Sequence, residues 1–187
     1  MANSKFEEMV QELYDKQKIR EVVIRYARGV DRMDEALLKS AYHPDAIDDH
    51  GFFVGNRDEF WDWVNTYHMN AQSTHQHIIT NHHCELDGDT AHCETYWLFA
   101  GLDPNGENLT IGGGRYIDRM EKRGGEWRIA ARKCVPDWGG APVDNQIPPE
   151  QRAMLQQSGI VARDRSDCSY ERPLTVPAER VGINLMF

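Results

Sequence analysis

An α+β fold, with three helices preceding a long antiparallel meander, is what the pattern of this 187-residue chain predicts. Apolar residues recur at the three-and-four spacing of a helix face as far as Tyr67, and from Ser73 onward the period drops to that of strands. Turn signals then divide the second part evenly. Asp87-Gly88-Asp89 and Gly124-Gly125 are hairpin sequences, and Asp103-Pro104-Asn105-Gly106 is a longer turn. Helices laid over one face of a curved antiparallel sheet would enclose a cone with an apolar pocket.

The elements follow in order. Ile19, Val22, Val23, Tyr26, Ala27 and Val30 form one stripe of a first helix within residues 4–41. A short second helix spans Asp34–Tyr42 and is stopped by Pro44. A strand or bend at Ala46–Val54 leads to a third helix, Arg57–Asn70, capped by Asn56 with Glu59 at capping-box spacing. Four strands are expected at 73–87, 90–102, 108–121 and 126–136, with Gly112–Gly114 marking a bend. Residues 1–138 thus make one domain. Residues 139–187, rich in Gly and Pro, read as an extended arm with one short helix at Pro149–Gln157. The arm's apolar end, Val181–Phe187, must bury itself across the chain's own pocket or on a neighbouring subunit.

Bulk properties narrow the function. The formal net charge of −9 argues against nucleic acid as a partner, because phosphate recognition needs clustered cations. The charged start, MANSKFEEMVQEL, contains no hydrophobic signal region, and the expectation is a cytoplasmic chain with no membrane partner. Cys84, Cys93, Cys134 and Cys168 lack the close spacings of zinc ribbons or redox motifs. Cys84 and Cys93 fall on neighbouring strands and can approach each other.

The most informative residue is Asp31, which continues the core stripe four positions past Ala27. A carboxylate aimed at a core needs a partner, and a buried, partnered carboxylate is suited to carrying protons. Strict alternation from Ser73 puts His75, His77, Ile79, Asn81 and His83 on one strand face, with His82 and Cys84 on the other. Imidazoles there suit acid–base work. The rival reading is a metal site, in which the His75/His77 pair is completed by Asp48, Asp49, His50 or Glu94. On the last strand, one face must be the core face. If it carries Ala130 and Cys134, Arg132 points inward, where it can pair with a carboxylate or hold an anion. Tyr26 lies on the helix stripe, and its hydroxyl needs a partner. His50, in Asp48-Asp49-His50-Gly51, sits at a bend where it can lean over a pocket mouth.

Gln17 to Asp31, Tyr42 to Gly51, His77-Ile-Ile-Thr-Asn81 and Trp127-Arg-Ile-Ala-Ala-Arg132 together resemble the SnoaL-like branch of the NTF2-like superfamily over roughly residues 5–138. The resemblance implies an NTF2-like cone and a cofactor-independent lyase of the dehydratase, dehydrohalogenase or formaldehyde-lyase type, acting on an aromatic or alicyclic small molecule. It places an Asp–His base on Asp31 and His77, with Tyr26 and Arg132 as electrophilic helpers. His50, His75, Tyr96 and Trp61 are the candidate substrate contacts, and no metal or cofactor is called for. The alternatives are an isomerase with the same dyad and a non-catalytic ligand-binding or assembly subunit, since some members of the superfamily are only structural. A homodimer or trimer is expected. The extra histidines at 75, 82 and 83 and the arm lie outside the shared pattern.

Overall fold

The computed structural model describes residues 2–105, 107–140, 154, 156–159, 166 and 168–184. Three helices, α1 (Ala2–Asp31), α2 (Glu35–Ser40) and α3 (Arg57–Ala71), pack on a six-stranded sheet. Its strands are β1 (Tyr42–Asp49), β2 (Val54–Asn56), β3 (Thr74–Asp87), β4 (Thr90–Leu102), β5 (Leu109–Arg123) and β6 (Glu126–Gly140), in the spatial order β2-β1-β6-β5-β4-β3. The pairings are antiparallel except β1 with β6, which run parallel. Among the described residues, no helix is long and apolar enough to cross a membrane.

The α1 stripe from Ile19 to Val30 is buried as its periodicity predicts. Farther back, Asp15 ties the same helix to the sheet by accepting from Trp127 Nε1 at 2.7 Å and Lys122 Nζ at 3.0 Å. Asp34 caps α2, and Asn56 and Glu59 form the reciprocal capping box of α3. Pro44 does not stop the second helix, which ends at Ser40 rather than Tyr42. It lies inside β1, in the stretch between Tyr42 and Ile47 where the β1–β6 register shifts and a missing N–H costs least.

Two bulges overturn the strict alternation expected of the long strands. In β3 the register slips between Ile79 and His82, so the inward set changes parity. His75 and His77 still face the helices, but His82, Cys84 and Leu86 take over that face, and His83 turns out to solvent. In β6 the slip opposite Arg119 and Met120 makes Ala130 the extra residue. The two faces of β6 therefore do not compete. Trp127 and Ile129 before the bulge, and Arg132 and Cys134 after it, all join the same core.

Gly114 takes its place because the Val135 carbonyl oxygen of β6 and the Trp97 ring both lie against it. A Cβ there would sit 2.7 Å from Trp97 Cζ2 and 2.8 Å from Pro136 Cα. Gly114→Ala is expected to destabilise the fold by about 1–3 kcal/mol, the usual cost of overpacking, read as a lower urea midpoint at unchanged slope. The next slip, at Gly113/Gly114, lets β6 run past Pro136 to Gly140, beyond the expected end at 136.

The described parts of the arm fold back on their own chain. Cys168 and Leu174 cover Ile117 and Val135 in a second small cluster on the outer sheet face. Arg180 grips Asp49 with two hydrogen bonds of 2.8 and 3.1 Å, and Gly182 and Ile183 bond to Val54 beside β2. Most of the expected Pro149–Gln157 helix, and residues 185–187, lie outside the described residues.

Candidate active site

Helix α1 ends at Asp31 against the start of β3, and this junction builds the first half of the site. The Asp31 carboxylate accepts from the His77 backbone N–H at 2.9 and 3.0 Å and from His77 Nδ1 at 2.7 Å. Both side chains are close to buried, at 13% and 9% exposure. Because a carboxylate accepts, the proton of neutral His77 sits on Nδ1 and Nε2 keeps its lone pair. His75 turns its Nε2 to the Val30 carbonyl at 3.2 Å, which fixes its proton on that nitrogen. Its ring stacks on His68 of α3 at 4.0 Å between centroids, and the Phe99 ring on β4 lies 5.1 Å from His77.

His68 was not foreseen, yet it continues the Phe60 and Val64 stripe of α3 just as Asp31 continues that of α1. Its Nδ1 donates to Gln72 Oε1 at 2.7 Å. Burial, helped by His75 and His77, pushes its pKa down to about 3 from 6.5, and burial also lowers that of His75. These two imidazoles are neutral braces. As pH falls from 6.5 towards about 3, the unfolded chain binds a proton that the buried His68 refuses. Stability should therefore fall by about 1.4 kcal/mol per pH unit across that window. Urea unfolding at a series of pH values should show a correspondingly flatter dependence in His68→Phe.

The second half gathers around Tyr26. Its hydroxyl lies 3.3 Å from His50 Nε2, while His50 Nδ1 donates to Asp48 through a short contact. Asp48 also accepts from the Tyr42 hydroxyl at 2.5 Å. Burial works against the charged form of His50, but Asp48 outweighs it and holds the imidazole well above its ordinary pKa. Burial raises the Tyr26, Tyr42 and Tyr116 hydroxyls, which stay protonated. Arg132 is fully buried, forks onto Asp118 with bonds of 2.7 and 2.8 Å, and lies 4.2 and 4.1 Å from the Tyr26 and Tyr116 ring centroids. Asp118 thus takes two of its nitrogens. Among the described residues, Arg132 Nη1 and Trp97 Nε1 are buried donors with no hydrogen-bond partner.

The four expected catalytic residues thus divide into two groups, Asp31 with His77 and Tyr26 with Arg132. Helix α3 runs between them, with Phe60 against His50 at one end and His68 against His75 at the other. Eight residues of helix span roughly 12 Å. On α3, Trp63 stacks on Tyr67 and His68 lies against Phe99 of β4, while Trp97 of β4 stacks on Tyr116 of β5.

Two expected substrate contacts are displaced. Tyr96 is 44% exposed and alternates with Trp97 and Phe99, so it faces away from the dyad. Trp61 is half-buried against the core, and the indole that approaches His50 is that of Trp63, at 6.1 Å. The proposed completions of a His75/His77 metal site also scatter. Glu94 pairs with Arg115 and Asp49 with Arg180, while Asp48 and His50 pair with each other. The third donor brought to His75 and His77 is Asp31, with ligand atoms within 4.8 Å. A cation there would have to displace both the His77–Asp31 hydrogen bond and the bond from His75 to Val30.

The model of the SnoaL-like domain family matches residues 11–133. The chain belongs to the SnoaL-like family. The SnoaL-like fold is shared at low identity with several solved structures. One is the hexachlorocyclohexane dehydrochlorinase LinA-type3 from Novosphingobium barchaimii LL02, 20% identical, with a TM-score of 0.66 over 75% of this chain and 99% of that one. Another is a scytalone dehydratase-like protein from Novosphingobium aromaticivorans DSM 12444, 16% identical, with a TM-score of 0.62 over 80% of this chain and 97% of that one. A third is a protein of unknown function from Mycobacterium tuberculosis, 20% identical, with a TM-score of 0.62 over 80% and 91%. No curated protein matches this SnoaL-like chain in sequence.

Proposed function

We propose that the protein is a cofactor-independent lyase acting on a hydrophobic aromatic or alicyclic small molecule, with His77 as general base and Asp31 as its anchor. The observation that carries this is the near-buried 2.7 Å contact of His77 Nδ1 with Asp31. It leaves Nε2 unprotonated and places a compensating charge behind the imidazolium that forms. His77 Nε2 takes a proton from carbon and the C–H pair forms a double bond as halide leaves, or as hydroxide leaves as water with a proton from the imidazolium or Tyr26. From a hydroxymethyl group it takes the O–H proton, the oxygen pair forms the C=O of formaldehyde as the C–C bond breaks, and the carbon left behind takes the proton back. The Tyr26 hydroxyl, backed by cationic His50, and Arg132 Nη1 supply donors for the developing oxyanion or leaving group. The aromatic rings beside both groups suit an apolar ring substrate. Members of the fold described as a dehydrochlorinase and as scytalone dehydratase-like support an elimination.

The test is a panel of aromatic alcohols, diaryl compounds and halogenated alicyclics scored by product mass. Elimination gives a product lighter by water, hydrogen halide or formaldehyde. Products of unchanged mass would instead establish an isomerase. Tight binding with no turnover across the panel would favour a binding subunit.

A further inference from the structure

Away from the dyad, a second group of side chains meets on the inner face of the sheet. The β3 bulge turns His82 and Cys84 inward, and Cys84 is the direct cross-strand partner of Cys93 on β4. A ring nitrogen of His82 and the two Sγ atoms lie within 4.8 Å of one another. His82 Nδ1 is engaged by the Thr95 hydroxyl at 2.8 Å, and Thr95 is fully buried. His82 Nε2 is buried as well, yet among the described residues it has no hydrogen-bond partner. A buried imidazole nitrogen without a partner is costly, and the groups nearest it are the two thiols.

We infer that His82 Nε2, Cys84 Sγ and Cys93 Sγ form a binding site for a thiophilic cation of the zinc type. Two sulfurs and one imidazole are a soft donor set. Zinc bonds of about 2.3 Å to sulfur and 2.0 Å to nitrogen need donor separations of roughly 3.5–4 Å, a small closure from the arrangement present. The Thr95 bond to Nδ1 is the outer contact that fixes a ligating histidine's tautomer and ring plane. Each thiol that binds as thiolate gives its proton to solvent. Three protein donors leave one position of a tetrahedral ion for water or another ligand. His82 and Cys84 are only half-buried, which gives the ion a way in. Five strand residues separate His82 from His77, about 16 Å, so the site is independent of the proposed base.

The test uses reduced, metal-free full-length protein titrated with Co²⁺ alone, then with Zn²⁺ in competition. The expected result is one equivalent per chain, with thiolate-to-cobalt charge-transfer absorption bleached by Zn²⁺ and two thiols protected from alkylation. Cys84→Ser and Cys93→Ser should abolish the absorption. Thr95→Val, which removes no ligand, should weaken binding about 10–100-fold. The wild-type spectrum needs no variant, so a poorly folded mutant does not block the test. Absence of charge-transfer absorption overturns the proposal. So does cobalt binding that survives Cys84→Ser but is lost in Asp31→Asn, which would place the ion on the dyad instead.

Discussion

His77→Ala is expected to slow turnover by at least ~100-fold, the usual scale for a positioned acid–base group, with little change in melting temperature. Asp31→Asn should match it for a different reason. The amide can still accept one N–H from the strand, but it has no charge to offset the imidazolium. A merely structural Asp31 would lower stability and leave the pH–rate profile of the surviving activity in place. An anchoring Asp31 shifts that profile, because the asparagine no longer offsets the charge the ring takes up. Steady-state rates on whichever panel compound turns over, together with thermal melts, separate the two. Full activity in both variants would dispose of the dyad.

Asp118→Ala should be the most destabilising single change in the core, costing about 3–5 kcal/mol in urea unfolding. Asp118 and Arg132 are both fully buried and bound through two parallel hydrogen bonds. Removing the carboxylate strands an uncompensated guanidinium among the Tyr26, Tyr42 and Tyr116 rings. Replacing both partners, Arg132→Met with Asp118→Leu, should restore much of the loss, since the pair's cost lies in leaving one charge uncompensated. The double variant should still be catalytically poor, having lost the Nη1 donor. Recovery of stability without recovery of rate would separate the two roles of Arg132.

The helical part of this design was legible residue by residue. The Ile19–Val30 stripe, the Asn56 cap and the inward Asp31 all follow from a period that helices keep without interruption. The four long strands from Ser73 onward were legible, but β1 and β2 read as a single strand or bend at Ala46–Val54, and the direction of every side chain was not legible. One inserted residue reverses all later parities, and nothing in Ile79–His82 or Ile129–Ala131 announces a bulge. Strict alternation therefore puts His77, before the slip, on its observed face and exchanges the faces of His82 and His83 after it. Asp118 and His68 were recoverable in principle, since each continues an apolar alternation or stripe. The pairing of Arg132 with Asp118 was not, because it depends on the register between β5 and β6. The arm's return over the outer sheet face rests on Arg180 meeting Asp49, a contact 131 residues apart in sequence that no local pattern encodes.

The claim on which the rest depends is the protonation geometry of one imidazole, and ¹⁵N NMR of histidine-labelled protein reads it directly. In its neutral form, His77 should appear as the Nδ1–H tautomer, with a downfield, exchange-protected Nδ1 proton that is lost in Asp31→Asn. A neutral His77 carrying its proton on Nε2, unaffected by Asp31→Asn, would contradict the account.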